Sequence, residues 1–357
     1  MKIAIEASLA SAPCPTGLGI YVDSLLSALA ENRALTSEST FYLLHSQAEW
    51  TGKDYGENFI SVSYRFTRSQ SASIMLNLNR VLKSLHAELF HATCTVGLPP
   101  VLSIPGVVTV HDLFQLTLPE IPFKTRLAMR ILFHWTRRNA AFFICNSSFT
   151  MRELMKIGIP KQDMKVVPLG SRFPSRNTGR RNPAGRRYFL CVGAIEPRKG
   201  QLMLCRAYMK ALKKMPDLPE LIFAGTDRGD AAELIRLAAT EPGIQYLGYV
   251  DDAKLVELYC GASLFIFPSL AEGFGIPVVE AMNLGIPVLC SDIPVLREIA
   301  DGLAIFADPD VHSFQQALLS LPHNLRSHRI PPVFSWKVNA ETTMKIYRRI
   351  LMRHKDE

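Results

Sequence analysis

The sequence predicts an α/β protein made of two doubly wound, parallel-sheet domains that face one another across a cleft. Three observations predict it. The length of 357 residues suits two domains at roughly 150 residues each. Short apolar runs recur along the chain, and most are continuous rather than alternating, the mark of strands buried on both faces of a parallel sheet. Helical patterns lie between them, 20–32 and 201–214 among them, completing strand–helix–strand units.

In order, the first series of strands is expected at 2–6, 41–45, 59–63, 88–91, 107–110, 141–145 and 165–168. A second series follows at 188–193, 220–225, 244–247, 263–268, 287–290 and 303–306. Between them, 172–187 is rich in Arg, Gly, Pro and Ser, contains no acidic residue and shows no apolar periodicity. It reads as an interdomain linker. The expected domains are therefore 1–171 and 188–339, with a terminal helix within 340–357 returning to the first. Open parallel sheets bind ligands beyond the carboxyl ends of their strands, so the loops there are the place to look for function.

Composition narrows the class. With 48% hydrophobic and 20% charged residues, disorder, collagen and a disulfide scaffold are excluded. A net charge of +8 invites a polyanionic partner: nucleic acid, an acidic membrane surface or a phosphorylated substrate. Seven scattered cysteines form no Cys-x-x-Cys pair, which fits a reducing cytosol. The start Met1-Lys2-Ile3-Ala4-Ile5-Glu6 lacks the apolar region of a signal peptide, and no stretch approaches about 20 apolar residues. The expected location is cytoplasmic, with any membrane touched peripherally, from its inner face. RNA-recognition, zinc-finger and helix-turn-helix signatures are missing, so nucleic acid is not an expected partner.

Four segments carry chemistry. Gly17 and Gly19 precede a helix, where glycines let the backbone approach an anion and the free N–H groups attract phosphate. The third glycine of a dinucleotide fingerprint is replaced by Val22, against a dehydrogenase. His111 stands just past a buried strand, as a usable donor to a sugar hydroxyl or phosphate or as a cap of the next loop. Gly193-Ala194-Ile195-Glu196-Pro197-Arg198-Lys199-Gly200 puts two cations at a strand end, suited to neutralising a diphosphate. Finally, Pro268-Ser269-Leu270-Ala271-Glu272-Gly273-Phe274-Gly275-Ile276-Pro277 runs into a helix bearing Glu280. Pro277 suits a first helical turn, the amides near Gly275 and Ile276 can face phosphate, and Glu280 is expected in that turn. Two carboxylates beside an anion-binding helix start suit the vicinal hydroxyls of a hexose and a ribose.

With these segments the chain resembles, over nearly its whole length, the retaining glycosyltransferases of family 4, the group-1 type with the GT-B fold. The likeness also runs through His111-Asp112, Cys145-Asn146-Ser147-Ser148-Phe149, Gly248-Tyr249-Val250, Ser291-Asp292-Ile293-Pro294 and Arg297-Glu298. It implies that Glu272 binds the donor hexose and Glu280 the nucleotide ribose. Gly273, Phe274 and Gly275, with Ile276, would offer backbone amides, and Tyr249 and Val250 would line the donor. Arg198 and Lys199 would hold the diphosphate, His111 would sit beside the transferred sugar, and Gly17 and Gly19 would belong to a loop closing over the phosphates. Glu272, His111, Arg198 and Lys199 are thus the expected catalytic set. Many relatives have an arginine where this chain has Ala194, which leaves more of the charge to Arg198 and Lys199.

The resemblance further implies transfer of a hexose with retention, without an essential metal, another cofactor or a covalent residue. The Asp308-Pro309-Asp310 string reads as a turn rather than a metal site. The sequence is most like bacterial mannosyltransferases of surface-polysaccharide assembly, which points to GDP-mannose, with a UDP-hexose as the alternative donor. The expected acceptor is a glycan or a polyprenyl-linked glycan. Two rival readings are a glycosidase, which would use a carboxylate pair, and a non-catalytic, membrane-docked binder of nucleotide sugars. Basic amphipathic stretches at 121–138 and 345–353 are candidates for contact with anionic lipid.

Overall fold

A computed structural model of the chain describes residues 1–11, 16–64, 70–118, 121–173, 188–229, 231–322 and 331–355. It divides into two compact units, one of Met1–Leu169 with Ser335–Glu357, the other of Gly170–Phe334.

The first unit holds a seven-stranded sheet in the order β3-β2-β1-β4-β5-β6-β7. Its strands are β1 (Lys2–Glu6), β2 (Thr40–His45), β3 (Phe59–Ser63), β4 (Leu89–Ala92), β5 (Gly106–Val110), β6 (Ala140–Cys145) and β7 (Met164–Val166). Every pairing between them is parallel. The helices are α1 (Gly17–Glu31), α2 (Arg33–Thr36), α3 (Gln70–Ser84), α4 (Phe114–Thr117), α5 (Phe123–Asn139) and α6 (Ser148–Lys156). The central strands β4 and β5 are buried throughout, which is why they read as mostly apolar rather than alternating segments. Edge strand β3 instead exposes Ile60.

The second unit has a six-stranded, all-parallel sheet in the order β10-β9-β8-β11-β12-β13. It is built from β8 (Tyr188–Val192), β9 (Glu220–Ala224), β10 (Ile244–Tyr246), β11 (Leu264–Phe267), β12 (Val288–Ser291) and β13 (Ile305–Ala307). Around it lie α7 (Gln201–Leu212), α8 (Ala231–Thr240), α9 (Asp252–Gly261), α10 (Ile276–Asn283), α11 (Pro294–Ala300) and α12 (Val311–Leu319). In both sheets the strand order reverses beside the first strand of the unit, at β1/β4 and at β8/β11. That reversal is where an open α/β sheet leaves a crevice for a ligand.

The thirteen expected strands are all present, with ends that shift for physical reasons. Pro168 and Pro268 fall outside their strands, because a proline has no N–H to give to a ladder. The expected helix 20–32 starts earlier, at Gly17, and the last helix, α13 (Trp336–Lys355), starts before residue 340. Arg172 and Phe173, expected within the linker, belong to the second unit and are docked on it, as described below; 174–187 lie outside the described residues. Asp310 caps α12, its carboxylate accepting from the His312 and Ser313 amides and the Ser313 hydroxyl. The Asp308-Pro309-Asp310 string therefore serves a helix start.

α13 is fastened to the first unit by buried polar contacts. Tyr347 Oη lies 2.6 Å from His91 Nδ1, His91 Nε2 lies 2.8 Å from Thr109 Oγ1, and Tyr21 Oη shares that hydroxyl at 2.8 Å. All four residues are essentially inaccessible. Burial, with help from His111, pushes His91 down to about 3, so the chain of hydrogen bonds is neutral at physiological pH and needs no counter-ion. The Asn339 side chain donates to the Pro168 carbonyl at 2.8 Å, using an acceptor at the end of the sheet.

Candidate active site

In the second unit the expected residues converge at the carboxyl ends of the neighbouring strands β8 and β11. After β8 the chain makes a single tight turn, Pro197–Lys199, that ends at Gly200. Gly200 has φ of +68°, and a Cβ there would lie 2.3 Å from the Pro268 carbonyl oxygen. Only glycine permits that approach, and it presses the Arg198-Lys199 turn onto the loop that follows β11. The two segments are then stitched together. The Leu270 amide donates to the Arg198 carbonyl at 2.9 Å, and Arg198 Nη1 donates to the Ala271 carbonyl at 2.7 Å.

Glu272 is the centre of this join. Its Oε1 accepts from Lys199 Nζ at 2.5 Å and from Ser269 Oγ at 2.6 Å, while Arg198 Nη1 stands 3.6 Å from Oε2. Arg198 Nη2 also reaches Glu196 at 2.6 Å. The carboxylate is only 6% exposed. Burial pushes its carboxyl up, but Lys199, Arg198 and the hydrogen bonds outweigh burial and hold it below the usual carboxylate range. It is therefore an anion at neutral pH, and an acceptor of hydroxyl groups rather than a proton donor.

The loop then enters α10 through Gly275, whose φ is +113°. A Cβ there would press on Leu296 Cδ2 at 2.9 Å. Pro277 has no N–H, so the amides of Gly275 and Ile276 are the ones this helix start can aim at an anion. Phe274 turns its ring into the core against Phe334. Because α10 begins at Ile276, Glu280 opens the second helical turn rather than sitting in the first. It is 1% exposed and accepts from Arg172 Nε at 2.7 Å and from Tyr259 Oη at 3.2 Å. Burial raises its carboxyl above the usual range despite the opposing pull of Arg172. Beyond β10, Tyr249 is 49% exposed and Val250 follows it in the loop before α9.

In the first unit His111 follows β5. Its Nε2 lies 3.1 Å from the Thr93 carbonyl oxygen, which can only accept, so Nε2 carries the proton and Nδ1 the lone pair. Burial pushes the ring down to about 4 against that hydrogen bond. A neutral ring in this tautomer offers Nδ1 as an acceptor, where sequence alone suggested a donor. Tyr21 packs edge-on against the ring at 4.6 Å. The Asn146 side chain and Thr150 hydroxyl donate to the His111 carbonyl at 3.0 and 3.3 Å, and Ser147 caps α6. The Cys145-Asn146-Ser147-Ser148 string thus fixes the strand end that presents His111. Gly17 and Gly19 lie in the first turn of α1 rather than in a loop. Next to them, 12–15 lie outside the described residues.

Sequence reasoning missed three contributors. Ser269 could have been found from its place three residues before Glu272. Arg172 carries no local signal, being one of many arginines in a basic stretch. Tyr259 reads as one apolar position of a helix. In the Ser291-Asp292-Ile293-Pro294 and Arg297 segment, Arg297 clasps Asp292 through Nε and Nη2 at 2.7 and 2.6 Å and lies over the Phe306 ring.

Comparison with known proteins matches both units to one family. A family model described as Glycosyltransferase Family 4 matches residues 15–171, and one described as Glycosyl transferases group 1 matches residues 186–324. The chain belongs to the group-1, family-4 glycosyltransferases. Among curated relatives of this glycosyltransferase, O-antigen chain mannosyltransferase B of Escherichia coli is 31% identical over 227 residues, covering 57% of this chain and 58% of the relative. O-antigen chain mannosyltransferase RfbU of Salmonella typhimurium is 27% identical over 221 residues, 60% of each. The chain thus spans at most about three fifths of these relatives' length. Among solved structures, WaaG, a glycosyltransferase involved in lipopolysaccharide biosynthesis, has a TM-score of 0.68 at 17% identity, covering 97% of this chain and 95% of that one. Anabaena Alr3699/HepE in complex with UDP-glucose has a TM-score of 0.67 at 19% identity, covering 100% of both chains. The fold is GT-B.

Proposed function

We propose that this chain is a retaining, metal-independent glycosyltransferase that moves mannose from GDP-mannose to a glycan or lipid-linked glycan during surface-polysaccharide synthesis. The observation that carries this reading is the buried Glu272 carboxylate clasped by Lys199, beside Arg198 and the start of α10. Departure of a nucleoside diphosphate leaves negative charge on the leaving oxygen and positive charge on the sugar ring. Lys199 has three N–H donors and gives one to Glu272, so the same ammonium can face a diphosphate. Arg198 and the Gly275 and Ile276 amides add fixed positive potential. Donors fixed in advance of the reaction stabilise developing charge without reorganising, and that is where the rate acceleration arises. Glu272 accepts hydroxyls of the hexose, and its negative charge favours positive charge developing on the ring. Glu280 takes the ribose, exposed Tyr249 with Val250 flanks the base, and His111 Nδ1 accepts a hydroxyl of the transferred sugar. Gly17 and Gly19 offer first-turn amides of α1 to the phosphates. No covalent residue is needed if the acceptor attacks from the side on which the diphosphate leaves.

The choice of mannose and of a polysaccharide acceptor is supported by the O-antigen mannosyltransferases among the relatives. Radiolabelled mannose passing from GDP-mannose into the lipid-extractable fraction of bacterial membranes, in the presence of EDTA, is the expected result. Labelling from UDP-hexoses alone would change the donor. Hydrolysis of simple glycosides without any nucleotide would replace the whole reading by a glycosidase.

A lipid-linked acceptor calls for a membrane surface. Among the described residues no helix is long and apolar enough to cross a membrane. α5, however, exposes Phe123, Leu127 and Ile131 at 67%, 48% and 53%, four residues apart and so in one row on the helix. Lys124 and Arg130 lie exposed along this row, and Arg137 and Arg138 lie exposed nearer the helix's C-terminal end. The stretch at 345–353 differs, because α13 buries Ile346, Tyr347, Ile350 and Leu351 and leaves Met352 outside. α5 is therefore the helix proposed to lie on anionic lipid, each cation near the surface contributing about 1 kcal/mol. The protein should float with phosphatidylglycerol vesicles and not with phosphatidylcholine alone, and Leu127→Glu with Ile131→Glu should abolish most of that binding. Equal flotation of the double variant would contradict the assignment.

A further inference from the structure

Arg172 lies where the sequence suggests a tether, yet it is built into the second unit at both ends. Its Nε donates to Glu280 Oε1 and its Nη1 to Asp252 Oδ1, each at 2.7 Å. Its backbone is held by the next residue: the Asn283 side chain of α10 donates to the Phe173 carbonyl at 2.7 Å, and the Phe173 ring packs against Tyr259 of α9. The guanidinium is thus a fixed part of the wall around Glu280. A carboxylate buried as deeply as this one is costly to keep charged without a partner, and takes up a proton instead.

We propose that Arg172 is the positioning residue of the ribose-binding carboxylate, holding Glu280 oriented and charged so that it accepts the vicinal hydroxyls of a nucleoside diphosphate. This rests on the reading of the second unit as the donor site. The Arg172 bond is short and charge-assisted, and it occupies one lone pair of Oε1. The contact on the other oxygen is weaker: Tyr259 Oη lies 3.2 Å from Oε2 and 3.4 Å from the Pro277 carbonyl. That hydroxyl can turn wholly to Pro277 and release Oε2 to a ribose hydroxyl, while Arg172 keeps the carboxylate from rotating. Among the described residues, the charged and titratable groups around Glu280 are Arg172, Tyr259 and, across the guanidinium, Asp252; the Cys191 thiol of β8 lies near Tyr259. Arg172 is the only cation among these, so its loss leaves only the Tyr259 hydrogen bond against burial, and Glu280 protonates at higher pH. Donor affinity is then lost as pH falls through that raised value.

The test is calorimetry of the full chain with GDP and with 2′,3′-dideoxy-GDP, UDP and its dideoxy analogue being run in parallel. Arg172→Met should weaken binding of the ribonucleotide about tenfold near neutral pH, and more at pH 6. Arg172→Lys should recover part of it. The dideoxy nucleotide, lacking the diol, should bind wild type and Arg172→Met alike. Should Arg172→Met fail to fold, Asp252→Asn, which removes only the outer anchor, should show the same ligand-selective loss at about two- to threefold. Unchanged or tighter ribonucleotide binding by Arg172→Met would overturn the proposal, as would equal losses for both nucleotides. Glu280→Gln separates the two layers, since unchanged binding there would strike at the donor-site reading itself.

Discussion

Lys199→Met is expected to lower the rate of sugar transfer by about two to three orders of magnitude, with most of the loss in kcat. Two effects act in the same direction. The ammonium proposed to stabilise the leaving diphosphate disappears, and the Glu272 carboxylate loses the nearest of its cations. Arg198 and Ser269 remain, but burial weighs more heavily on the Glu272 carboxyl, which shifts upward. The sign of the pH dependence follows. In the wild type Glu272 stays ionised below the usual carboxylate range, so it should add no acid limb between about pH 5 and 8. In Lys199→Met activity should fall as pH drops through the raised value, giving an acid limb that the wild type lacks. A pH–rate profile of both proteins reads this directly. Identical profiles would mean that Lys199 does not govern the charge of Glu272.

Glu272→Gln is expected to cost about a hundredfold in kcat/KM while leaving the fold intact. The amide keeps the shape of the side chain but has one acceptor oxygen instead of two, and no charge opposite the developing positive sugar. Lys199, freed from its partner, should hold the diphosphate at least as well as before. Nucleoside diphosphate should therefore bind Glu272→Gln with unchanged or greater affinity even as transfer fails. The two substitutions act on one ion pair, so the double variant should lose much less than the product of the single losses. Additive losses would show that Lys199 and Glu272 act separately.

The sheets were legible because the physics behind them is local. β4, β5, β11 and β12 are buried on both faces, and such strands are mostly apolar, with polar residues such as His91 and Thr109 hydrogen-bonded to each other. Glu272, Lys199 and Arg198 were legible because glycines and a proline mark the chain reversals that bring strand ends together. What failed to show in the sequence depends on contacts between distant segments. Arg172 meets Glu280 across 108 positions, and nothing near Arg172 separates a buried guanidinium from a solvated one. The tautomer of His111 was hidden likewise, since it is set by the Thr93 carbonyl just past β4. The first turn of α1 misled for another reason: Gly17 and Gly19 favour a loop by propensity, but at a helix start that cost is small and the buried α1 face, with Tyr21, Val22 and Leu25, extends the helix over them.

The most direct test of the account is titration calorimetry of the purified chain with GDP, UDP and ADP, each with and without EDTA, for wild type and Lys199→Met. The account predicts that GDP binds far more tightly than the other two, that EDTA changes nothing, and that Lys199→Met weakens the interaction. If no nucleoside diphosphate binds, or if Lys199→Met binds as well as wild type, the cations beside Glu272 do not form a diphosphate site and the proposed transfer reaction fails with them.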